Sequence, residues 1–446
     1  YGRKSDYTEM ALLKSEISKK QRYLPVRSIT KKATSSLLEL KPCWLMSPLA
    51  VAQYLPKEAI EFDLVIIDEG SQMPPEDAIV ALVRAKQAMI VGDTNQLSPT
   101  SFFRTMVEDD EMDEDYKVTE ESILEMANLS FKPIRRLRWH YRSKHPGLIS
   151  FSNKHVYNED LVVFPAAQDN CPKMGVYYTK VDGIYSCGSN PKEAKIVVDS
   201  ILDFMKKDPD KSLGVVSLNK KQRDLLQEEI EYAREQHQHV KEYIDKWEQE
   251  KDGLEPFFIK NLENVQGDER DVIFISTVYG PEKADARVMQ RFGPINGIAG
   301  KRRLNVLLSR AKERIVTFSS MTAADIQIEK DGNPGVYMFK CWLEYAASGI
   351  LEGGNYTRQE PDSEFEEHVI EQIKSIGCEA FPQIGVKGFS IDIGVKHPDW
   401  PHGFIMGIEC DGAGYHSSRS ARDRDRLRQE ILEGLGWYLY RIWSTD

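Results

Sequence analysis

Short apolar runs that stop abruptly at polar residues recur along the chain. The sequence reads LVII before Asp68, AMIV before Gly92, GVVSL before Asn219 and VIFIS before Thr277. Apolar runs of this length are typical of buried parallel strands. Helical patterns lie between them, including residues 221–247, so the alternation predicts two α/β units whose parallel sheets are covered on both faces.

Length and composition fit a protein of two to three domains. The chain has 446 residues, of which 41% are hydrophobic and 29% charged, as in globular proteins. It has no run of about 18 apolar residues, so neither a membrane segment nor a membrane partner is expected. The net charge of -11 argues against a basic coat for DNA, although a nucleic-acid groove can be locally positive. Six cysteines without a C-x-x-C pair favour a reducing cytoplasm.

The segment FDLVIIDEGSQ carries two adjacent acidic residues at the carboxyl end of a predicted strand. Open α/β sheets bind their ligands at that edge, and the pattern has the form of a Walker B site. Asp68 would hold Mg²⁺, and Glu69 would orient and deprotonate the water that attacks the γ-phosphate of ATP. Gln72 would reach the same water network, and the next strand, in AMIVGDTNQLSP, brings Gln96 beside the acidic pair.

Three later segments, in the same order, complete a resemblance to the motifs of superfamily 1 helicases. LRWHYRSKHPGLISFSN resembles motif IV, ENVQGDERDVIFIS resembles motif V, and RRLNVLLSRAKERIV resembles motif VI. The resemblance implies that Gln96 senses the γ-phosphate and that Arg142 and Arg310 reach it as arginine fingers. It also implies that Glu269, after Gly267, contacts the nucleotide sugar or phosphate. Arginine suits a finger because its planar fork neutralises charge without losing its proton.

The stretch from KPCWLMSPLAVAQYLP to Tyr345 is similar to bacterial relatives of the nonsense-mediated-decay helicases, the branch that moves 5′ to 3′. That similarity implies that Ser47 and Pro48 approach the nucleic-acid backbone, and a plain turn is the alternative. No G-x-x-x-x-G-K-[ST] phosphate loop occurs, and residues 2–5 lack its first glycine and a preceding strand. We therefore expect the phosphate loop on a part of the protein that precedes this sequence, and little ATP hydrolysis by the chain alone.

After residue 364 the pattern changes to a helix followed by two strands. In KGFSIDIGVK every second residue is apolar, so Asp392 faces away from the apolar side. In FIMGIECDG the same alternation leaves Glu409 and Asp411 on one face. Glu366, in SEFEEHVIEQIKSIG, lies on the apolar side of the helix and is expected to turn inward.

Carboxylates gathered from a helix and a hairpin resemble the site of PD-(D/E)xK nucleases, and IECDGAGYHSS resembles the branch of the very-short-patch-repair endonucleases. The resemblance implies that Asp392 and Glu409 hold Mg²⁺ or Mn²⁺, which would activate water and stabilise charge on the scissile phosphate, with Glu366 as the helix glutamate. The usual lysine is missing, and Asp411 stands at its position. His416 would act as general acid or base or bind phosphate, with a structural role as the alternative.

Arginines interleaved with aspartates follow this segment. A helix stabilised by its own salt bridges is one interpretation, since Arg419 and Asp423 are four residues apart. A phosphate-facing helix is the other, because arginines that neutralise phosphates give sequence-independent affinity. We expect a mixture, in which Arg422 and Arg426 face DNA.

Together these features predict two RecA-like parallel-sheet lobes, the first incomplete, and a small restriction-endonuclease-like α/β domain. The predicted bounds are 1–131 and 132–347 for the lobes, 348–361 for a linker and 362–446 for the nuclease domain. The expected function is ATP-driven translocation coupled to metal-dependent cleavage of single-stranded or duplex DNA, in repair, restriction or defence against foreign DNA. Two alternatives stay open: an RNA helicase with an inactive nuclease-like domain, and a nucleotide-sensing scaffold that recruits partners through the charged helix at 222–250.

Overall fold

The computed structural model describes residues 8–57, 60–99, 122–168, 171–284, 286–351, 360–386, 389–411 and 419–443. The side chains of residues 251, 252, 386, 411 and 419–425 lie outside this description. The chain divides into two compact units, residues 1–135 and 136–446. None of the helices described is long and apolar enough to cross a membrane.

The first unit is built on a pair of parallel strands. Its elements are α1 (Glu9–Ser18), α2 (Val26–Lys32), α3 (Thr34–Leu40), α4 (Pro48–Tyr54), β1 (Phe62–Ile67), α5 (Pro75–Leu82), β2 (Ala85–Ile90) and α6 (Ile123–Ser130). The strands pair in parallel along their whole length, and α5 connects them. Ile67 packs against Ala78 of α5 and Ile123 of α6. On the other face, Leu64 and Ile66 are 45% and 60% exposed, so this sheet is covered on one face only, and the prediction that both faces are covered is wrong for the described part of this unit.

The second unit begins with a helicase-like lobe around a five-stranded parallel sheet. Its elements are β3 (Trp139–His140), α7 (Gly147–His155), β4 (Val162–Val163), β5 (Gly175–Lys180), α8 (Pro191–Lys207), β6 (Leu213–Ser217), α9 (Lys220–Gln236), α10 (Gln238–Gln249), β7 (Phe258–Asn261), β8 (Arg270–Ser276), α11 (Gly300–Leu308), β9 (Ala311–Ser319) and α12 (Pro334–Ser348). The strand order is β5-β9-β8-β6-β7. The four apolar runs noted in the sequence form strands as predicted: β1 and β2 in the first unit, and β6 and β8 in this lobe.

Helices cover both faces of this sheet, as the sequence pattern predicts. On one face, Phe318 of β9 packs into a cluster formed with α8, α9 and α10. Successive residues of a strand point to opposite faces, so the neighbouring Thr317 points the other way. Its hydroxyl accepts a hydrogen bond of 3.2 Å from Trp342 of α12, whose ring contacts Phe151 of α7.

The helical pattern at 221–247 is the clearest departure from the sequence prediction. One helix was expected, but His237 has an extended backbone and separates α9 from α10. The break turns α10 back, so that its Tyr243 and Trp247 join the cluster that holds Leu226 and Ile230 of α9. Tertiary burial of these apolar side chains overrides the local preference for one continuous helix.

The C-terminal domain is a four-stranded sheet with two helices. Its elements are α13 (Glu364–Ser375), β10 (Glu379–Val386), β11 (Phe389–Lys396), β12 (Met406–Asp411), α14 (Arg419–Gly434) and β13 (Leu439–Trp443). The strand order is β10-β11-β12-β13, antiparallel except for the parallel pair β12–β13. In the predicted linker, α12 ends at Ser348 and is closed by Gly349 with φ 68°, while residues 352–359 lie outside the described part of the chain.

The predicted hairpin exists, but its second strand begins at Met406 rather than at Phe404. The amide of Phe404 donates a hydrogen bond of 2.7 Å to the carbonyl of Ala167, outside the domain. This contact requires Gly403 (φ 148°), because a Cβ there would lie 2.2 Å from the same carbonyl oxygen. Residues 403–404 therefore contact the preceding lobe and do not extend strand β12.

Residues 162–168, which we call the docking segment, complete the core of the C-terminal domain. Phe164 and Ala167 are only 3% and 2% exposed and belong to one apolar cluster with Phe389 of β11. The indole of Trp437 donates a hydrogen bond of 2.9 Å to the carbonyl of Pro165. The C-terminal domain thus buries part of its core against the lobe that precedes it.

Candidate nucleotide and metal sites

The predicted Walker B pair and the predicted γ-phosphate sensor Gln96 follow the carboxyl ends of two adjacent strands, β1 and β2. The amide of Glu69 donates to Asp68 Oδ1 at 2.9 Å, and Gln72 Nε2 donates to Glu69 Oε2 at 3.2 Å. After β2, Gln96 Nε2 donates to Asp93 Oδ2 at 3.3 Å. Glu69 has a φ of 53°, a left-handed conformation that is uncommon outside glycine and concentrates at functional sites.

Two glycines let the loops after β1 and β2 touch. Gly70 donates its amide to the carbonyl of Val91 at 2.8 Å. A Cβ on Gly92 would stand 3.0 Å from the amide nitrogen of Ser71. Larger residues would push the two loops apart, so the glycines keep the acidic pair of the first loop beside the second loop.

The predicted contact residues Ser47 and Pro48 have a clear local role. Ser47 caps α4, because its hydroxyl accepts the amide of Ala50 at 3.3 Å, and Pro48 is the first residue of that helix. Both are preferred at these positions. Helix initiation explains the pair, and contact with nucleic acid stays a prediction.

Several predicted residues of the second lobe meet at the amino-terminal ends of β8 and β9. Arg142 Nε pairs with Glu269 Oε2 at 2.9 Å, and Lys312 Nζ pairs with Glu269 Oε1 at 3.0 Å. Lys312 also pairs with Glu255 at 2.8 Å. Burial alone would lower the pKa of Lys312, but the hydrogen bonds to Glu255 and Glu269 raise it.

His140 lies near this cluster. Burial, together with the positive charge of Arg142, lowers the pKa of His140 to about 4 and keeps its ring neutral.

Arg310, predicted as a second arginine finger, is 4% exposed. Its guanidinium donates to the carbonyl of Val306 at 2.8 Å and to the hydroxyl of Ser309 at 3.1 Å. In this structure it therefore stabilises the turn between α11 and β9. Gly267 adopts φ 86° with open space around its Cβ position, which makes the turn that leads into Glu269.

At the opposite edge of the same sheet, a buried carboxylate escaped the sequence analysis. Glu193 is fully buried, and its Oε1 accepts hydrogen bonds from Ser276 Oγ at 2.7 Å and from the amide of Val278 at 2.8 Å. Its Oε2 accepts one from Ser320 Oγ at 2.9 Å. From sequence, Glu193 resembles an ordinary first-turn glutamate after the cap Asn190; its burial results from strands far along the chain.

Burial raises the pKa of Glu193 from 4.5 to about 7, despite the hydrogen bonds that lower it. The folded protein keeps this proton at pH values where the unfolded chain loses it, so stability falls as pH rises from 4.5 to about 7. At about 1.4 kcal/mol per unit of pKa, the expected loss is about 3 kcal/mol.

Denaturant unfolding measured across this pH range should show the falling free energy of unfolding in the native protein. The fall should be absent in Glu193→Gln, whose side chain does not titrate. The exposed Glu229→Gln is the control; an unchanged slope in Glu193→Gln would contradict the assignment.

In the C-terminal domain, the structure brings Asp392 and Glu409 together across two strands. Ile393 pairs with Ile408 at the end of the register between β11 and β12, and Asp392 and Glu409 are the residues next to that pair. The amide of Cys410 donates to Asp392 Oδ2 at 2.8 Å. The two predicted metal ligands therefore lie on neighbouring strands, next to the same paired position.

The predicted helix glutamate is buried, as expected, but its oxygens have other partners. Glu366 is 6% exposed and accepts hydrogen bonds from the amide of Asp362, the hydroxyl of Ser363 and the amide group of Gln383. Gln383 Oε1 in turn accepts from Ser390 Oγ at 2.6 Å. Among the described residues no group of three or more acidic, histidine or cysteine side chains is placed to hold a metal, so the expected three-carboxylate set is not formed there. The side chain of Asp411 and all of His416 lie outside those residues.

The arginines of α14 differ in their surroundings. The side chain of Arg426 is 82% exposed and pairs with Glu430 within the helix at 2.9 Å, while the side chain of Arg422 lies outside the description. Arg428 turns inward instead: it donates to Glu409 Oε1 at 3.0 Å. Arg428 was not predicted as a site residue, although it lies three and four residues before the buried Ile431 and Leu432, a spacing that marks the inner face of a helix.

Three family models match successive parts of the chain. Two AAA-domain family models match residues 5–103 and 119–322, and the restriction-endonuclease model REase_MTES_1575 matches residues 365–446.

Three relatives extend the comparison. The chain is 28% identical over 438 residues to the uncharacterized ATP-dependent helicase MG140 homolog of Mycoplasma pneumoniae, covering 93% of this chain and 38% of that protein. It is 34% identical over 306 residues to the uncharacterized ATP-dependent helicase MG140 of Mycoplasma genitalium, covering 66% of this chain and 26% of that protein. It is 26% identical over 275 residues to the regulator of nonsense transcripts 1 homolog of Drosophila melanogaster, covering 58% of this chain and 21% of that protein. The chain thus spans well under half of these relatives.

The α/β fold and the order of the matches confirm the predicted architecture. Residues 5–103 and 119–322 are thus similar to the AAA domains of ATP-dependent helicases, and residues 365–446 are similar to a restriction-endonuclease domain.

Proposed function

We propose that this protein is an ATP-driven DNA translocase whose C-terminal domain cleaves DNA with the help of a divalent metal ion. The observation that carries the proposal is the Asp392–Glu409 pair, two carboxylates next to the last paired residues of β11 and β12 in a domain that follows helicase-like domains. Two acidic side chains on neighbouring strands suit a shared cation, because like charges repel each other.

The motor half of the proposal rests on the acidic pair after β1. Asp68 and Glu69 are exposed carboxylates at a strand end, a donor set that fits Mg²⁺ bound with ATP. Asp68 would hold the ion and Glu69, oriented by Gln72, would take the proton of the attacking water. The open apolar face at Leu64 and Ile66 supports a further segment that covers this sheet and carries the phosphate loop.

The nuclease half needs an ion that oxygen ligands can hold. Asp392 and Glu409 suit Mg²⁺ or Mn²⁺, which supplies an activated water and stabilises charge on the scissile phosphate when bound. Asp392 is oriented for this by the amide of Cys410, and Glu409 by Arg428. His416 is proposed as the nearby acid, base or phosphate ligand, and Arg422 and Arg426 as contacts to the DNA backbone.

A second function is favoured by one observation. The similarity to the regulator of nonsense transcripts 1 homolog of Drosophila melanogaster raises RNA as the track of the motor, with the C-terminal domain retained for binding. The substrate of cleavage separates the two functions. A role in DNA repair or defence against foreign DNA, in the cytoplasm, belongs to the first of them.

End-labelled single-stranded DNA, duplex DNA and RNA should be incubated with the chain in Mg²⁺ or Mn²⁺. We expect DNA cleavage that falls to the no-protein level in Asp392→Asn, because the variant loses a charged metal ligand. Asp399→Asn, whose carboxylate is 93% exposed in the same domain, is the matched control and should cleave normally. Cleavage of RNA alone, or equal cleavage by Asp392→Asn, would argue against the proposal.

A further inference from the structure

Two acidic residues of the C-terminal domain lie on neighbouring strands, next to the same paired position. Asp392 and Glu409 adjoin Ile393 and Ile408, the last paired residues of β11 and β12, and the amide of Cys410 donates to Asp392 Oδ2 at 2.8 Å. Negative charges on neighbouring strands repel each other. A fixed cation beside one of them would keep both ionised and available as ligands.

Arg428 is placed to be that cation. Its guanidinium donates through one nitrogen to Glu409 Oε1 at 3.0 Å and to the carbonyl of Ser390. The same group lies over the ring of Phe389, 4.6 Å from its centre. Glu409 and Arg428 have side chains 13% and 25% exposed, so their charge-assisted hydrogen bond is well shielded from water. Three contacts from β11 and β12 therefore fix this arginine of α14.

The other nearby cations are arranged differently. Lys396 lies four residues beyond Asp392 on β11, about 13 Å along the strand, and sits over the ring of Phe404 at 4.4 Å. Arg441 is the register partner of Glu409 on β13. Arg428 approaches from α14 and donates a hydrogen bond to Glu409, a predicted metal ligand.

The Nε atom of Arg428 is a further donor that indicates a bound ligand. Its Nε is shielded from solvent and has no hydrogen-bond partner within the part of the chain that the structure describes. Buried donors are normally satisfied by protein, water or an ion. A charged donor held beside the metal-binding carboxylates suits an oxygen of the phosphate backbone.

We propose that Arg428 is the positioning residue of the metal site, holding Glu409 through Oε1 so that the carboxylate offers its remaining lone pairs to the ion. An ionised carboxylate has about four acceptor sites, so it can keep the arginine and bind a metal at once. Arg428 thereby supplies a positive charge from α14 directly beside Glu409. This role rests on the proposed nuclease function.

Binding of Mn²⁺ to the whole chain, without nucleotide, tests the proposal through the electron paramagnetic resonance signal of the free ion. Asp392→Asn lacks one of the proposed metal ligands, so the Mn²⁺ that this variant still binds measures binding at other sites of the chain. In Arg428→Met we expect the Mn²⁺ dissociation constant, and the Mn²⁺ concentration for half-maximal DNA cleavage, to rise about tenfold to a hundredfold. Arg428→Lys should lie between, because an ammonium can replace the charge but not the planar fork. Gln429→Met, which removes a contact to Glu433 along the same helix, should match the native chain.

Each other result has a definite meaning. A lower cleavage amplitude with unchanged Mn²⁺ binding would make Arg428 a purely structural residue and overturn the proposal. Tighter binding in Arg428→Met would overturn it too, since the arginine would then compete with the metal. Mn²⁺ binding and cleavage absent from the native chain would remove the proposed nuclease itself, whereas activity unaffected by Arg428→Met would remove this inference alone.

Discussion

Replacing Arg142 by alanine should lower nucleic-acid-stimulated ATP hydrolysis by the full-length protein about 10³-fold or more, the range seen when an arginine finger is lost. Arg142 lies two residues after the end of β3, and its Nε pairs with Glu269 Oε2 at 2.9 Å. A half-exposed arginine fixed in this way is oriented before the nucleotide arrives, which reduces the entropy lost on binding the γ-phosphate. Steady-state phosphate release with saturating single-stranded nucleic acid measures the effect.

A conservative variant and a control variant test whether the loss of rate is specific to the guanidinium of Arg142. Arg142→Lys keeps the charge but loses the bidentate fork, so it should recover only part of the rate. Arg136→Ala, six residues earlier, removes an exposed arginine that pairs with Asp160 at 3.1 Å, and should hydrolyse ATP normally. If Arg142→Ala retained more than about a tenth of the native rate, the arginine would not be a finger.

Replacing Phe164 by alanine should destabilise the C-terminal domain by about 3–5 kcal/mol, although Phe164 belongs to the preceding lobe. Its ring lies 4.2 Å from that of Phe389 and 5.7 Å from that of Trp139, between the two domains. Removing it leaves a cavity that the rigid strands on either side cannot fill. Native-state hydrogen exchange at the amides of β11 and α14 measures the free energy of opening for this domain alone.

The matched control for this prediction is Phe131→Ala. Phe131 is 62% exposed, so its removal should change stability by no more than about 0.5 kcal/mol. Equal protection of β11 and α14 in native protein and Phe164→Ala would show that the C-terminal domain does not depend on the docking segment.

The sequence alone determined the features that depend on neighbouring residues. The apolar run before Asp68 predicts a strand because the hydrophobic pattern is local, and the structure contains that strand. The alternation around Asp392 predicts a strand for the same reason, and residues Phe389–Lys396 form β11. Helical periodicity likewise predicts that Glu366 is buried, as it is. The assignment of these residues to a helicase and a nuclease depended on the order of whole motifs.

Only the tertiary structure decided the features that join distant segments. The bond from Arg428 to Glu409, the burial of Glu193 beneath Ser276 and Ser320, and the insertion of Phe164 next to Phe389 have no local signature. Each depends on where two elements far apart in the chain come to lie. Their energies come from desolvation and close packing, which exist only once those elements have met.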